Sequence, residues 1–406
     1  MHDPKRASET GPLAGVRIVE FASMASGPFA TSLLADQGAD VIKLEAPGQG
    51  DLIRHMGYSR GGLSAIFNTL NRNKRSLAID LRKPRGQEIA RCLVGDADVF
   101  IQNYRSGVAE SLGVGSAQLR GRDPRLIYVS ISGFGSTGPY ASHPAYDIVI
   151  QALSGLAVLQ ADPETDTPEL VQTVVCDKVA ALQAAQAISA ALYSRERSGR
   201  GAHIELSLLD ATLVFLWPDG MEAQTLIGEG IAIPTTGMRD VAQIHATRDG
   251  HITLMVVSDD QFRGLCRALA RPDLVDDPRF ATLAGRLEHA RELGLEVAGA
   301  VAGFESEPIC TRLREQAVPA APILSPEALL GDRHILASGL VQELEHPIAG
   351  RLRTPRPAAR FEGASSPPLR PAPALGEHTR EILGELALAS AEIDSLAEAG
   401  VIQTFG

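Results

Sequence analysis

Near its start the chain runs Val16-Arg17-Ile18-Val19-Glu20-Phe21, then a small-residue stretch from Ala22 to Pro28, then Phe29 to Gln37, Gly38, and Asp40-Val41-Ile42-Lys43-Leu44-Glu45. Two short apolar runs flank a helical stretch that Gly38 stops, so the segment predicts a βαβ unit. The turn Ala25-Ser26-Gly27-Pro28 then lies before a helix N-terminus, which suits an anionic or carbonyl group. It is neither GxGxxG nor a P-loop, and any unit of this kind needs small residues at that turn.

The alternation continues downstream. Ser76 to Leu81, Asp98 to Asn103, Leu126 to Ser132 and Ile204 to Leu208 read as strands. Pro84 to Leu93, Tyr146 to Leu153 and the Ala/Leu-rich Val179 to Tyr193 read as helices. Strands and helices alternate for about 210 residues, which predicts a doubly wound α/β domain over 1–225. The tempo then changes. Residues 227–240 are loop-like, Asp249-Gly250 between Gln243–Ala246 and His251–Leu254 has a hairpin signature, and helical stretches follow to Ala317. This predicts a smaller α+β domain over 226–325. Pro319 to Pro326 reads as a stiff connector and Pro347 to Pro373 is rich in Pro and Arg. Leu375 to Ile402 resumes helical patterning, so the third part, 326–406, is expected to lie across a folded surface.

At 406 residues and 43.0 kDa the chain exceeds one ordinary core. Its net charge of -11 and pI near 5.4 offer no basic footprint for nucleic acid or an anionic membrane. The four cysteines, Cys92, Cys176, Cys266 and Cys310, lie too far apart for a CxxC metal site and are too few for a disulfide framework. No run of eighteen apolar residues occurs, and Met1 to Thr10 has no apolar core of a signal peptide. A metal-free cytoplasmic enzyme that contacts no membrane is the expectation.

Three stretches carry candidate chemistry. In Thr173-Val174-Val175-Cys176-Asp177-Lys178 a carboxylate falls where a helix N-cap should be, facing the positive end of the helix dipole, so it is expected to stay ionised at neutral pH. Asp177 is then either only a cap or a carboxylate nucleophile. Asn71-Arg72-Asn73-Lys74-Arg75 can hold phosphates or be a solvated loop. Asn103-Tyr104-Arg105 leaves the carboxyl end of a strand, where open parallel sheets bind ligands. Cys176 is expected to be a small buried residue ending a strand, and His143 a loop histidine.

The sequence resembles the class III CoA-transferases, a family that also contains the α-methylacyl-CoA racemases. The resemblance is carried by Leu13–Phe21, Gly38–Glu45, Asn73–Leu77, Asn103-Tyr104-Arg105 with Leu112-Gly113, Gly133-Phe134-Gly135, Arg195–Gly201, Glu345-His346-Pro347 with Gly350, and Gly376–Thr379. It implies a Rossmann-like large domain that binds CoA, a smaller α+β domain, a C-terminal segment returning to the large domain, and a homodimer of interlaced chains. Asp177 matches the aspartate that attacks the donor thioester. The acyl group and CoA then pass through a mixed anhydride and an aspartyl-CoA thioester, so an acyl-CoA and a small carboxylic acid exchange CoA without cofactor, ATP or metal. Asn103, Tyr104 and Arg105 match the CoA-contacting stretch, Lys74 and Arg75 the Asn-Lys-Arg segment, and Ala25-Ser26 the loop near the thioester.

Three functions stay open: CoA transfer between acids, α-methylacyl-CoA racemisation, and CoA binding without catalysis. Where a glutamine stands in one transferase subgroup this chain has Ala25, and Val241–His245 lacks the aromatics usual before the Asp-Gly turn. Where the racemases have a histidine directly before an aspartate, this chain has Tyr146-Asp147. A phenol with a reference pKa near 10 is a poor base at pH 7, which favours transfer.

Overall fold

The computed structural model describes residues 10–162, 165–232, 243–362 and 368–405. The chain forms two compact units, Met1–Glu222 with Gly339–Gly406, and Ala223–Ser338.

The first unit is built on one sheet. Its strands are β1 (Arg17–Phe21), β2 (Asp40–Glu45), β3 (Arg75–Ile79), β4 (Val99–Gln102), β5 (Ile127–Ser132), β6 (His203–Ser207) and β7 (Ile402–Gln403). Among the described residues the order is β7-β3-β2-β1-β4-β5-β6. All pairs are parallel except β7 with β3, where Ile402 faces Ile79 in an antiparallel ladder. The run 3-2-1-4-5-6 is the strand order of the doubly wound dinucleotide-binding fold, so the sequence-based expectation of an α/β sheet holds.

Helices cover both faces, and for that reason the central strands β1 to β4 are buried throughout. Ile18, Ile101 and Val129 pack against α1 (Ser26–Ala35) and against Ala180, Ala184 and Ile188 of the long helix Val175–Ser198. On the other face Val19, Phe100 and Tyr128 meet Ile89 and Leu93 of α2 (Pro84–Gly95) and Ile382, Leu383 and Ile393 of the helices Thr379–Glu385 and Ser390–Glu398. The C-terminal segment thus covers one face and, through β7, one edge of the sheet. Two further helices matter for the site: α3 (Asp147–Leu153) and the long α4 (Val175–Ser198).

In the second unit the expected hairpin is present: Ile244–Ala246 pairs antiparallel with His251–Leu254. Phe262, Leu265, Phe280, Val301, Ile309 and Leu313 form its core. The loop expectation for 227–240 and the segment Val241–His245 lie partly outside the described residues, since 233–242 are not described.

Several expectations are corrected. Helix α1 begins at Ser26 rather than Phe29, because Pro28 falls in a first turn that has no need of its missing N–H. Helix α4 begins at Val175, two residues before Asp177. Part of the expected stiff connector is a strand, Ala320–Pro322, paired with His251–Leu254. Val341–His346 and Gly350–Pro355 form a hairpin overlapping the Pro/Arg-rich stretch. Its strands carry Glu343 against Arg351 and Arg353, so charge pairing replaces the apolar alternation by which a strand is recognised.

Candidate active site

Strands β1 and β4 are neighbours whose connections leave in opposite directions, so their carboxyl ends open a crevice at the switch of strand order. The chain turns sharply after β1. Met24 takes φ +65°, and a Cβ on Gly27 would lie 2.5 Å from the Ala22 Cβ, so a glycine is required there. From the other wall Asn103 ties the turn down: its Oδ1 accepts from the Ser23 N–H at 2.9 Å, and its Nδ2 donates to the Ser23 carbonyl at 2.7 Å and to Ser26 Oγ at 3.3 Å. Tyr104 stacks on Phe21 with ring centroids 4.4 Å apart. Arg105 is exposed at the mouth. Ala25, Ser26, Asn103, Tyr104 and Arg105 are therefore brought together.

Asp177 joins them from α4, and it is not a cap. It is the third residue of the helix, and the cap position belongs to Val174, whose side chain makes no capping bond. The capping work comes from a neighbouring helix: Asp147, buried at the start of α3, accepts the Asp177 backbone N–H on Oδ2 at 3.0 Å. Gln151 donates to the other Asp147 oxygen at 2.6 Å, accepts the Val171 N–H at 2.9 Å, and so fixes the approach to α4. The Asp177 side chain is thereby released from structural duty and stands half-buried.

Its electrostatics differ from the sequence-based expectation. Burial, and then the neighbouring Asp147, push the Asp177 carboxyl up to about 6, while the hydroxyl and backbone N–H of Ser26 pull the other way. The group remains largely ionised at pH 7, but as a poorly solvated carboxylate of raised basicity instead of one quieted by a helix dipole. Such an oxygen is a competent nucleophile toward an activated carbonyl.

Lys74 and Arg75 are corrected: neither is a solvated loop residue or an outward-facing cation. Lys74 has a fully buried side chain whose three donors go to Glu20 at 2.7 Å, the Pro28 carbonyl at 2.8 Å and Asn71 at 2.9 Å. An ammonium has only three donors, so none is left for a phosphate. Arg75 is spent on Asp40, Glu381 and Glu385, joining β3 to β2 and to the C-terminal helix. Cys176 is buried as expected, but inside α4 instead of ending a strand, and burial pushes its thiol up to about 11, which leaves it inert. His143 is an exposed loop residue, edge-on to Phe134 and beside Tyr140, and Tyr146 is 64% exposed.

Asp147 was legible only as a helix start, and Lys43 and Glu20 not at all as site-related residues. The signal was there: a lysine inside the apolar run Asp40–Glu45 demands a partner, and Glu20 sits directly across from it in the β1–β2 register.

Comparison with known proteins finds similar chains over nearly the whole length. The chain is 36% identical over 393 residues to the succinate–glutarate CoA-transferase of Agrobacterium fabrum, covering 92% of this chain and 96% of that one. It is 34% identical over 397 residues to the succinyl-CoA:glutarate CoA-transferase of Mus musculus, covering 97% and 90%. A CAIB/BAIF family protein from Brucella suis superposes with a TM-score of 0.79 at 31% identity, over 93% of this chain and all of that one. Rv3272 from Mycobacterium tuberculosis superposes with a TM-score of 0.80 at 28% identity, over 92% and 99%. Residues 13–379 match CoA-transferase family III, and the chain belongs to that family.

Proposed function

We propose that this enzyme moves CoA from a dicarboxylic acyl-CoA to a second carboxylic acid, with Asp177 as the covalent relay. The observation that carries this is the half-buried Asp177 carboxylate, raised in basicity and set beside Ser26 at the switch-point crevice. The dicarboxylate preference rests on the relatives, whose names specify succinate, glutarate and oxalate.

In the first step an Asp177 oxygen attacks the thioester carbonyl, the C–S bond breaks, and CoA leaves as thiolate with an acyl-aspartyl anhydride behind it. The thiolate then attacks the Asp177 carbonyl, which releases the donor acid and leaves an aspartyl-CoA thioester. An acceptor carboxylate attacks that thioester, forms a second anhydride and frees the thiolate, which takes the acceptor acyl group and restores Asp177. Each step exchanges one activated acyl bond for another, so the activation of the donor is preserved and neither ATP nor metal is drawn on. Ser26, donating through its hydroxyl and N–H, orients the attacking carboxylate. Asn103, Tyr104 and Arg105 receive CoA on the first unit of an interlaced homodimer in the cytoplasm.

The test is direct. Incubation with succinyl-CoA and a panel of free dicarboxylic acids should give new CoA thioesters by mass spectrometry, and hydroxylamine should trap a hydroxamate at Asp177. Asp177→Ala should abolish both while CoA still binds. Normal turnover by that variant, or α-proton exchange of a 2-methylacyl-CoA in D₂O without acceptor acid, would replace this function, the second outcome in favour of racemisation.

A further inference from the structure

Beneath the β1–α1 turn lies a cluster of charges that the transfer steps do not use. Glu20, Lys43 and Lys74 have fully buried side chains. Glu20 accepts from Lys43 at 2.7 Å on one oxygen, and from Lys74 at 2.7 Å and Thr31 Oγ1 at 2.5 Å on the other. Lys43 pairs also with Asp51 at 3.0 Å. Two carboxylates thus balance two ammoniums in the interior. Desolvating ions costs several kcal/mol each, and apolar side chains of equal volume commonly serve stability as well or better. Stability alone is therefore a poor account of the cluster.

What apolar side chains are unable to do is hold backbone polar groups. The remaining donor of Lys43 goes to the Ala22 carbonyl at 2.8 Å, and that of Lys74 on this side to the Pro28 carbonyl at 2.8 Å. Asp51 accepts the N–H of Met24 at 3.1 Å, at the residue with φ +65°. The cluster grips the turn at its first residue, at its strained centre and at its last, while Asn103 holds Ser23 between them. Ser26, which Asn103 Nδ2 reaches at 3.3 Å and whose hydroxyl and N–H lower the Asp177 carboxyl, lies inside this frame.

We propose that Lys43 and Lys74, clamped by Glu20, are positioning residues of the transfer reaction: they fix the turn Ala22–Pro28 so that Ser26 meets the Asp177 carboxylate. This rests on Asp177 being the nucleophile. Around Asp177 the charged and titratable neighbours among the described residues are Asp147 from α3 and Cys176 on its own helix, and the adjacent Lys178 ammonium is bonded to Thr173. A loosened turn therefore acts on Asp177 through Ser26.

The decisive variant is Glu20→Gln with Lys74→Met in the full chain, which removes one charge of each sign and the Lys74 bond to the Pro28 carbonyl. We expect cooperative unfolding and CoA affinity within about twofold of wild type, with kcat lower by about 10²-fold, the loss that a misplacement of about 1 Å brings. The acidic limb of the kcat–pH profile should also move to higher pH, because Ser26 no longer holds the Asp177 carboxyl down. A folded variant with wild-type kcat and an unmoved limb overturns the proposal. Should the double variant fail to fold, Ser26→Ala decides: its limb must move the same way, and an unmoved limb overturns the proposal equally. Asp177→Asn separates the two ideas. If it turns over, the nucleophile is misassigned; if it is inert while the turn variants behave as wild type, only the positioning role falls.

Discussion

At the scale of single residues, the main consequence of the structure is that Asp177 is held for chemistry at the expense of folding. Its carboxyl rises from an ordinary 3.8 to about 6 in the folded chain, first through burial and then through Asp147. An acid of raised pKa binds its proton more readily folded than unfolded, so stability declines as pH rises from 3.8 through about 6, and the deficit is complete at neutral pH. Asp177→Asn removes the ionisation without changing shape. The variant should be more stable than the wild type by about 1–2 kcal/mol at pH 7.5, a figure reduced for the solvent that still reaches a half-buried group. The difference should shrink below pH 6 and vanish near pH 4, as read from urea unfolding at several pH values. A variant less stable than wild type at pH 7.5 would mean that the carboxylate is structurally satisfied and that its basicity has another origin.

At the scale of elements, the β1–α1 turn is where local geometry and site meet. Gly27→Ala should be destabilising by about 1–3 kcal/mol, the range for overpacking, because the new methyl would lie 2.5 Å from the Ala22 Cβ and the Ala22 carbonyl is held in place by Lys43. Thermal unfolding measures this, and an alanine variant of wild-type stability would show that the turn can give. Much at this scale was legible in the sequence. The strand Asp40–Glu45 has the bounds its apolar run suggests, and the Asp249-Gly250 hairpin forms where the turn chemistry puts it, because both signals are local. Lys74 was misjudged for the opposite reason: a cation is exposed or buried according to a partner that sits 54 residues away in Glu20, and no periodicity around Lys74 reports that. Asp177 reads as standing at a cap position for a related reason, since the group that caps α4 belongs to α3, 30 residues earlier.

At the scale of the whole molecule, the first unit carries an apolar face that burial within one chain does not explain. Ile148, Leu153, Val158, Val214, Phe215 and Trp217 are between 45% and 65% exposed, on adjoining helices of that unit. Apolar patches of this kind mark interaction sites on soluble proteins. The interlaced homodimer proposed above supplies the occupant, a second copy of the chain. Light scattering should then give twice 43.0 kDa, and Phe215→Glu with Val214→Glu should shift the protein toward the monomer, since two buried charges without partners oppose association strongly. The chain contains a single tryptophan, and Trp217 lies on this face, so its emission reports the same event without a label. Association should blue-shift the emission as concentration rises, and dilution or the double substitution should reverse it. A wild-type chain of 43.0 kDa whose Trp217 emission is independent of concentration would leave the face open to solvent and defeat the dimer.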